Sequence, residues 1–309
     1  MLRYALEGAD RVTNTPVRVG YLAPVDGEAV LNEAADAYRA QLGERLVAAY
    51  ALGSLAHGGF SPLVSDIDLG LILADPVNSG DGRRVQEIAQ AQRARGSELH
   101  RRLSVFWGTA ATLAGRAAGG RFPPLDRLDL LDNGRLLHGD DIRDGLPRPD
   151  RTELLVAGAE FALDVLAGIP RGAGVADEQL GSLSSARDGA IDEIRFPGRV
   201  VAEGPRRVTK LVLFPVRFLY TAATGEVGTN DAAVAHYLEQ PAVPSTALVA
   251  AALAWRHEPP PHGEAAALLS QELVPLFAHY LDDHIARLSA VGQHRLADRF
   301  RRWRTRLPA

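Results

Sequence analysis

The order of apolar and polar residues predicts a sheet with helices in the first half of the chain. Residues 28–45 carry apolar side chains three and four positions apart, a spacing typical of an amphipathic helix. Short apolar runs bounded by turn residues predict four strands, the last of them at an edge, at residues 46–52, 66–73, 103–107 and 135–137.

The pattern changes after residues 140–149, a stretch rich in Asp, Arg, Pro and Gly that indicates a linker. Beyond it, helical spacing predicts six helices, at residues 152–167, 206–223, 229–239, 245–256, 262–288 and 291–305. In the last helix Trp303 falls on the apolar face, which predicts that it packs inward. We therefore predict an α+β chain, with a mixed-sheet domain at residues 1–149 and an all-α helical-bundle domain at residues 150–309.

Composition narrows the class of protein. The chain has 309 residues, 46% of them apolar and 23% charged, which is enough for two domains with buried cores. The net charge of −4 makes nucleic acid or a membrane surface an unlikely partner, and the absence of cysteine excludes thiolate metal ligands. The longest apolar runs are too short to cross a bilayer, and residues 1–7 lack the apolar run of a signal peptide. A cytoplasmic location is therefore expected.

Two aspartates one residue apart mark the most informative part of the sequence. Asp66 and Asp68 fall at alternate positions of a predicted strand, so both carboxylates leave one face while Ile67 enters the core. Neighbouring carboxylates repel each other, and a cation between them offsets that repulsion. Oxygen ligands favour Mg²⁺ or Mn²⁺. We therefore interpret Asp66 and Asp68 as catalytic residues that hold a divalent cation.

A glycine and a serine precede this strand by about ten residues, a spacing that suits a turn and a short helix. Gly53 ends a predicted buried strand and permits close approach of the backbone to another group. Ser54 is expected to cap the short helix, and the free amides at a helix N-terminus suit a phosphate group. A cation site beside a phosphate site is the arrangement that nucleotidyl transfer needs.

The stretch from Gly53 to Leu69 resembles the signature of the nucleotidyltransferases of the DNA polymerase β type. Residues 125–140 and 218–231 are similar to parts of the aminoglycoside adenylyltransferases that modify streptomycin and spectinomycin, so the resemblance covers residues 45–240. It implies a nucleotidyltransferase domain followed by a helical domain, with ATP lying between them.

The resemblance also implies roles for single residues. Gly53, Ser54 and Ser65 are expected to bind the nucleotide. Basic residues of the helical domain are expected to contact the triphosphate, with Arg217 as the first candidate and Lys210 as the second. Lys210 is the only lysine of the chain, and its distance of seven residues from Arg217 places both on one helix face.

The sequence departs from that family at the third acid of the cation site. By the order of the elements, the position expected to be acidic is Ser104, which cannot act as a base at neutral pH without help. Three alternatives remain open. In the first the base comes from elsewhere, with Glu98 and Asp129 as candidates, and in the second the two aspartates work slowly without one. The third alternative is a protein that binds nucleotide but does not transfer it.

The acceptor region departs from the family as well. Residues 198–207, where the resemblance implies contacts to an aminoglycoside, contain no tryptophan and one acid, Glu203. A polycationic acceptor needs several carboxylates, so a neutral or anionic acceptor fits better. We predict an enzyme that uses Mg²⁺ (or Mn²⁺) to transfer a nucleoside monophosphate, AMP from ATP, onto a hydroxyl of a small molecule. The alternative is a catalytically weakened nucleotide-binding regulatory or antitoxin-like module on the same fold.

Overall fold

The structure is a computed structural model that describes residues 26–167 and 190–308. The predicted domains also include residues 1–25, 168–189 and 309, which lie outside the described ranges. Within those ranges one sheet has the strands β1 (Leu46–Leu52), β2 (Ile67–Leu73), β3 (Leu103–Thr109) and β4 (Arg135–Gly139). Their order in the sheet is β3-β2-β1-β4. Strand β1 is antiparallel to β2 and β4, whereas β2 and β3 are parallel, so the sheet is mixed.

Helices cover both faces of this sheet, and we call the whole unit the sheet region (residues 27–139). Its helices are α1 (Gly27–Leu42), α2 (Ser54–His57), α3 (Asp81–Arg93), α4 (Glu98–Arg101), α5 (Ala110–Leu113) and α6 (Pro124–Asn133). Helices α1 and α3 pack on one face, and α5 and α6 pack on the other. Because Ile67 and Leu69 of β2 face α1 and α3, alternation places Asp68 on the face that α6 covers.

The second half of the chain is helical and has its own core, and we call it the helical region (residues 151–305). Its helices are α7 (Arg151–Val165), α8 (Ala190–Arg195), α9 (Pro197–Ala202), α10 (Pro205–Thr224), α11 (Asn230–Glu239), α12 (Thr246–Ala254), α13 (His262–Ala290) and α14 (His294–Thr305). Helices α8 and α9 were not predicted. The α+β fold class is confirmed, with a mixed sheet flanked by helices followed by a helical region.

Helix α10 occupies the centre of the helical region. It packs against α7, α9, α11, α12 and α13, and it continues through Pro215, whose ring is buried. Its first turns reach the sheet region, where Arg206 and Lys210 contact Asp66. Among the helices of the described residues, none is long and apolar enough to cross a membrane.

The terminal helix α14 is basic on its outer face and aromatic on its inner face. Trp303 is fully buried and lies edge-on to Phe277, Tyr280 and Phe300, at ring-centre distances of 5.9, 6.3 and 5.8 Å. The prediction that Trp303 packs inward is therefore confirmed.

We expect Trp303→Ala to lower the free energy of unfolding by about 3–5 kcal/mol, because loss of the indole leaves a cavity among the aromatic rings of α13 and α14. Urea unfolding followed by circular dichroism measures the change. The matched control is Arg304→Ala, since Arg304 is 40% exposed and pairs with Asp282 on the surface. That variant is expected to lose at most about 1 kcal/mol, and equal losses in the two variants would contradict the role of Trp303.

Candidate active site

The Gly-Ser segment forms a tight turn at the end of β1. Gly53 has φ +61° and ψ −150°, a conformation that is nearly confined to glycine, and it is the N-cap of α2. Its carbonyl accepts from the backbone amides of Ala56 and His57 at 2.9 and 3.1 Å. The prediction that Ser54 caps the helix is wrong, because Ser54 is the first helical residue and its side chain forms no capping hydrogen bond.

The close approach predicted for Gly53 is made to a carboxylate of the same chain. A β-carbon at Gly53 would lie 2.3 Å from Oδ2 of Asp68, so any side chain here displaces that carboxylate. The reason is the register of the sheet, in which Leu52 of β1 pairs with Asp68 of β2. The turn and the second aspartate therefore form one packed unit.

Asp66 lies directly before β2, and Asp68 is the second residue of that strand. The first aspartate contacts the helical region through both of its oxygens. Nη2 of Arg206 lies 2.5 Å from Oδ1 of Asp66, and Nζ of Lys210 lies 2.5 Å from Oδ2. Arg206 and Lys210 are four residues apart on α10, which places them on one helix face. Of the two, the sequence singled out only Lys210.

Charge pairing keeps Asp66 ionised. Burial favours its neutral form, but Lys210 and Arg206 outweigh that effect and hold the pKa of Asp66 below its ordinary value. Burial also lowers the pKa of Lys210, and the Asp66 carboxylate opposes that change. Asp66 and Lys210 therefore stabilise each other as ions, whereas Arg206, a like charge, adds to the lowering of the pKa of Lys210.

Asp68 has the opposite electrostatic environment. Burial raises its pKa to about 8, and the carboxylates of Asp66, Asp126 and Asp129 add to the effect. Burial and the neighbouring Asp129 likewise raise the pKa of Asp126 to about 7. These carboxylates crowd one another, an arrangement that a nearby cation relieves.

Asp129 holds the Gly53 turn from the side of α6. Its Oδ2 accepts from the backbone amide of Gly53 at 2.6 Å, and its Oδ1 accepts from Nδ2 of Asn133 at 2.9 Å. Asp126 precedes it by three residues, so both acids leave the same side of α6. Asp126 is not among the site residues predicted from the sequence, although its spacing from Asp129 signals a shared face.

Arg217 lies toward these acids rather than toward Asp66. Burial lowers the pKa of its guanidinium, and the carboxylates of Asp129 and Asp68 oppose the change. Its Nε donates to the carbonyl of Gly228. Lys210 thus forms an ion pair with Asp66, whereas Arg217 interacts electrostatically with Asp129 and Asp68.

The remaining predicted residues lie as follows. Ser65 is buried, and its Oγ accepts from the backbone amide of Ser61 at 3.0 Å, so its hydroxyl is engaged within the loop. Ser104 pairs with Asp68 in the parallel register of β2 and β3, which makes it the residue beside Asp68 on the neighbouring strand. Glu98 is more than half exposed and forms ion pairs with Arg101 and Arg102.

The carboxylates of Asp66 and Asp68 are of the chemical type that binds a divalent cation. In this structure, however, they are not arranged to hold one. In the described part of the chain, no three His, Cys, Asp or Glu side chains are grouped so that they would hold a metal ion. Both oxygens of Asp66 are engaged by Arg206 and Lys210, whereas burial and the neighbouring acids raise the pKa of Asp68. Oxygen-only donors of this kind fit Mg²⁺ or Mn²⁺ once Asp66 is released. A cavity of about 450 Å³ lies elsewhere, between α1 and β4.

No family model matches the chain, and no curated protein matches it in sequence. Among solved structures, the chain is similar to the spectinomycin adenyltransferase AAD(9) from Enterococcus faecialis, which was solved with ATP and spectinomycin. The two are 13% identical, the match covers 80% of this chain and 99% of the other, and the TM-score is 0.49. A likeness at this level identifies neither a reaction nor a substrate for this chain.

We expect Gly53→Ala to destabilise the protein more than Gly43→Ala does. Both glycines have a similar strained backbone, with Gly43 at φ +52° and ψ −128°, so each substitution costs about 1–3 kcal/mol of strain. Only at Gly53 does the new β-carbon also meet Asp68, because nothing lies within 4 Å of the position at Gly43. Thermal unfolding of both variants measures the difference, and equal losses would show that Asp68 does not fill this space.

We expect Asp68→Asn to change how stability depends on pH in metal-free buffer. With its pKa raised to about 8, Asp68 keeps a proton in the folded state from roughly pH 4 to 8 that the unfolded state has lost. Stability of the wild type therefore falls as pH rises through this range, whereas asparagine cannot ionise. Between pH 5 and pH 8.5, the free energy of unfolding of the variant should rise by at least about 1 kcal/mol relative to that of the wild type.

Urea unfolding at several pH values in the presence of a chelator provides this measurement. Asp298→Asn is the control, because Asp298 is an exposed surface residue that pairs with Arg301. The free energy of unfolding of this control should change with pH in the same way as that of the wild type. A parallel curve for Asp68→Asn would mean that Asp68 is ionised throughout the range.

Proposed function

We propose that the protein is a nucleotidyltransferase that transfers AMP from ATP onto a hydroxyl of a small molecule, with Mg²⁺ or Mn²⁺ as its cation. The observation that supports this most is the position of Asp68 directly beneath the Gly53 turn, next to Asp66 and opposite the cations of α10. The acids that would hold a cation thus lie beside the start of α2, which would face phosphates, and beside the basic side chains that would neutralise a triphosphate.

Each group would have a separate task. Asp66 and Asp68 would hold the divalent cation, which supplies positive charge to the triphosphate and to the departing pyrophosphate. The backbone amide of Ser54, at the start of α2, would face phosphate oxygens. Gly53 would contribute by shaping the turn, because its own amide already donates to Asp129. Ser65 would contribute by holding the loop before Asp66, since both its hydroxyl and its backbone amide are already hydrogen-bonded to Ser61.

The cations of α10 would exchange one partner for another when nucleotide binds. Arg206 and Lys210 neutralise Asp66 in the structure and would bind triphosphate oxygens once Asp66 holds the metal ion. Arg217 lies near Asp68 and Asp129 and would add charge on the other side. Arginine suits this role because its planar fork matches phosphate oxygens.

The proton of the acceptor hydroxyl needs a base, and we assign this role to Asp126. Ser104 beside Asp68 cannot serve, Glu98 pairs with two arginines, and both oxygens of Asp129 accept hydrogen bonds. Asp126 is the other acid on the face of α6 that meets Asp68. The hydroxyl oxygen would attack the α-phosphorus, its proton would pass to the Asp126 carboxylate, and pyrophosphate would leave.

A second candidate function is a nucleotide-binding regulatory or antitoxin-like module that transfers nothing. The observation that favours it is the register that places Ser104, a residue without a carboxylate, beside Asp68. Such a module would bind ATP with the same turn and the same basic residues. It would differ from the enzyme only in lacking turnover.

We expect the wild type to release pyrophosphate from ATP in the presence of Mg²⁺ and a panel of hydroxyl-bearing acceptors. The double variant Asp66→Asn, Asp68→Asn should lower that rate at least about 100-fold, because it removes both cation ligands. Asp298→Asn, a surface change far along the chain in α14, is the control and should keep the wild-type rate.

Two results would refute the assignment. Release that persists in the double variant would show that the reaction does not depend on Asp66 and Asp68. Binding of ATP by the wild type without release across the whole panel would establish the regulatory module instead of the enzyme.

A further inference from the structure

The loop between the Gly53 turn and Asp66 is held from the helical region by one arginine. Arg256 follows α12, and its Nη2 donates to the backbone carbonyl of Gly59. In the opposite direction, Oγ of Ser61 donates to the backbone carbonyl of Arg256. The two hydrogen bonds join residues almost 200 positions apart in sequence and connect the sheet region to the helical region.

Burial shows that this contact is internal to the protein rather than part of its surface. Arg256 is 2% exposed and Ser61 is 1% exposed. A charged side chain buried to this degree is costly unless its hydrogen bonds are formed. The acid that accompanies it is Asp231 of α11, with Nη1 and Oδ2 3.8 Å apart, and Asp231 is 69% exposed. The guanidinium is therefore stabilised in good part by its contact with the loop.

The backbone of the loop is shaped to allow this approach. Gly59 has φ +77°, and a β-carbon there would lie 3.2 Å from Oδ2 of Asp231 and 3.9 Å from Nη1 of Arg256. A side chain here would need only a small shift of the exposed Asp231 side chain, so the positive φ is the main reason that glycine suits this position.

The contact continues along the chain to the first aspartate. The backbone amide of Ser61 donates to Oγ of Ser65 at 3.0 Å, and the amide of Ser65 donates to the carbonyl of Ser61 at 2.9 Å. Ser65 immediately precedes Asp66. The other end of the loop begins at Gly58, directly after α2 and the Gly53 turn. Arg256 thus contacts the middle of a segment whose two ends carry the proposed phosphate and cation sites.

We propose that Arg256 is a positioning residue for nucleotide binding, which acts by fixing residues 58–65 against the helical region. The contacts behind this inference are independent of the proposed function, but its test by nucleotide binding rests on that function. The register of β1 and β2 sets the distance between the Gly53 turn and the aspartates. Arg256 fixes the conformation of the loop between them, and it makes that conformation depend on contact between the sheet and helical regions. Loss of the contact frees the loop without removing any group that binds nucleotide directly.

The first test is Arg256→Met, which keeps most of the length of the side chain but removes its donors and charge. We expect about tenfold weaker binding of ATP with Mg²⁺, measured by isothermal titration calorimetry without acceptor, and a KM that rises more than kcat falls. Arg256→Lys retains one donor for the carbonyl of Gly59 and should recover part of the affinity. Arg304→Met, a surface arginine of the same region, is the matched control and should bind like the wild type.

Hydrogen exchange of the backbone amides in residues 58–65 provides a readout that needs no nucleotide. These amides should exchange faster in Arg256→Met than in the wild type, while the core strands stay protected. Ser61→Ala removes the hydrogen bond from Ser61 to the carbonyl of Arg256 and leaves the arginine in place. It therefore tests whether the contact fixes the loop if Arg256→Met does not fold. A merely structural arginine would lower the unfolding temperature and leave affinity and loop exchange unchanged.

Folded Arg256→Met and Ser61→Ala proteins that bind ATP and exchange these amides like the wild type would overturn the inference. If the wild type itself binds no ATP, the proposed function fails, and the exchange measurement still decides whether Arg256 fixes the loop.

Discussion

Carboxylates of the sheet region face cations of α10 across the contact between the two regions, and this charge pairing determines the geometry of the candidate site. Asp66 binds Arg206 and Lys210, whereas Asp68 lies among further acids toward Arg217. Carboxylates this close would largely take up protons if no positive charge lay beside them. The position of α10, which is set by its packing against five other helices, therefore determines which of the acids remain ionised.

Local rules of sequence predicted the sheet half of the site well. Alternation along a strand places Ile67 in the core and Asp68 on the opposite face, and the apolar run before Gly53 forms the neighbouring strand. These features follow from the alternation of side chains along a strand and from the backbone freedom of glycine. Both can be recognised within one short segment of sequence. The placement of Ser104 beside Asp68 also followed from the order of the elements.

Contacts between distant segments could not be predicted in the same way. Arg206, Asp126 and Arg256 owe their proposed roles to contacts between distant segments. Nothing in the segments of Arg206 and Arg256 distinguishes them from exposed charged residues, and Asp126 is marked only by its spacing from Asp129. Lys210 and Arg217 illustrate the limit. Their spacing indicated a shared helix face, but only the docked structure shows that one reaches Asp66 and the other the acids near Asp68.

The pairing of Asp66 with two cations of its own chain also bears on how the protein responds to ions in solution. Tethered side chains compete with a dissolved metal ion at a high effective concentration, so they act as an internal competitor for the carboxylate. Salt screens such partly exposed pairs, and a polyanion offers the displaced side chains another partner. Metal and triphosphate would therefore enter together more readily than the metal alone, which protects the site from adventitious ions.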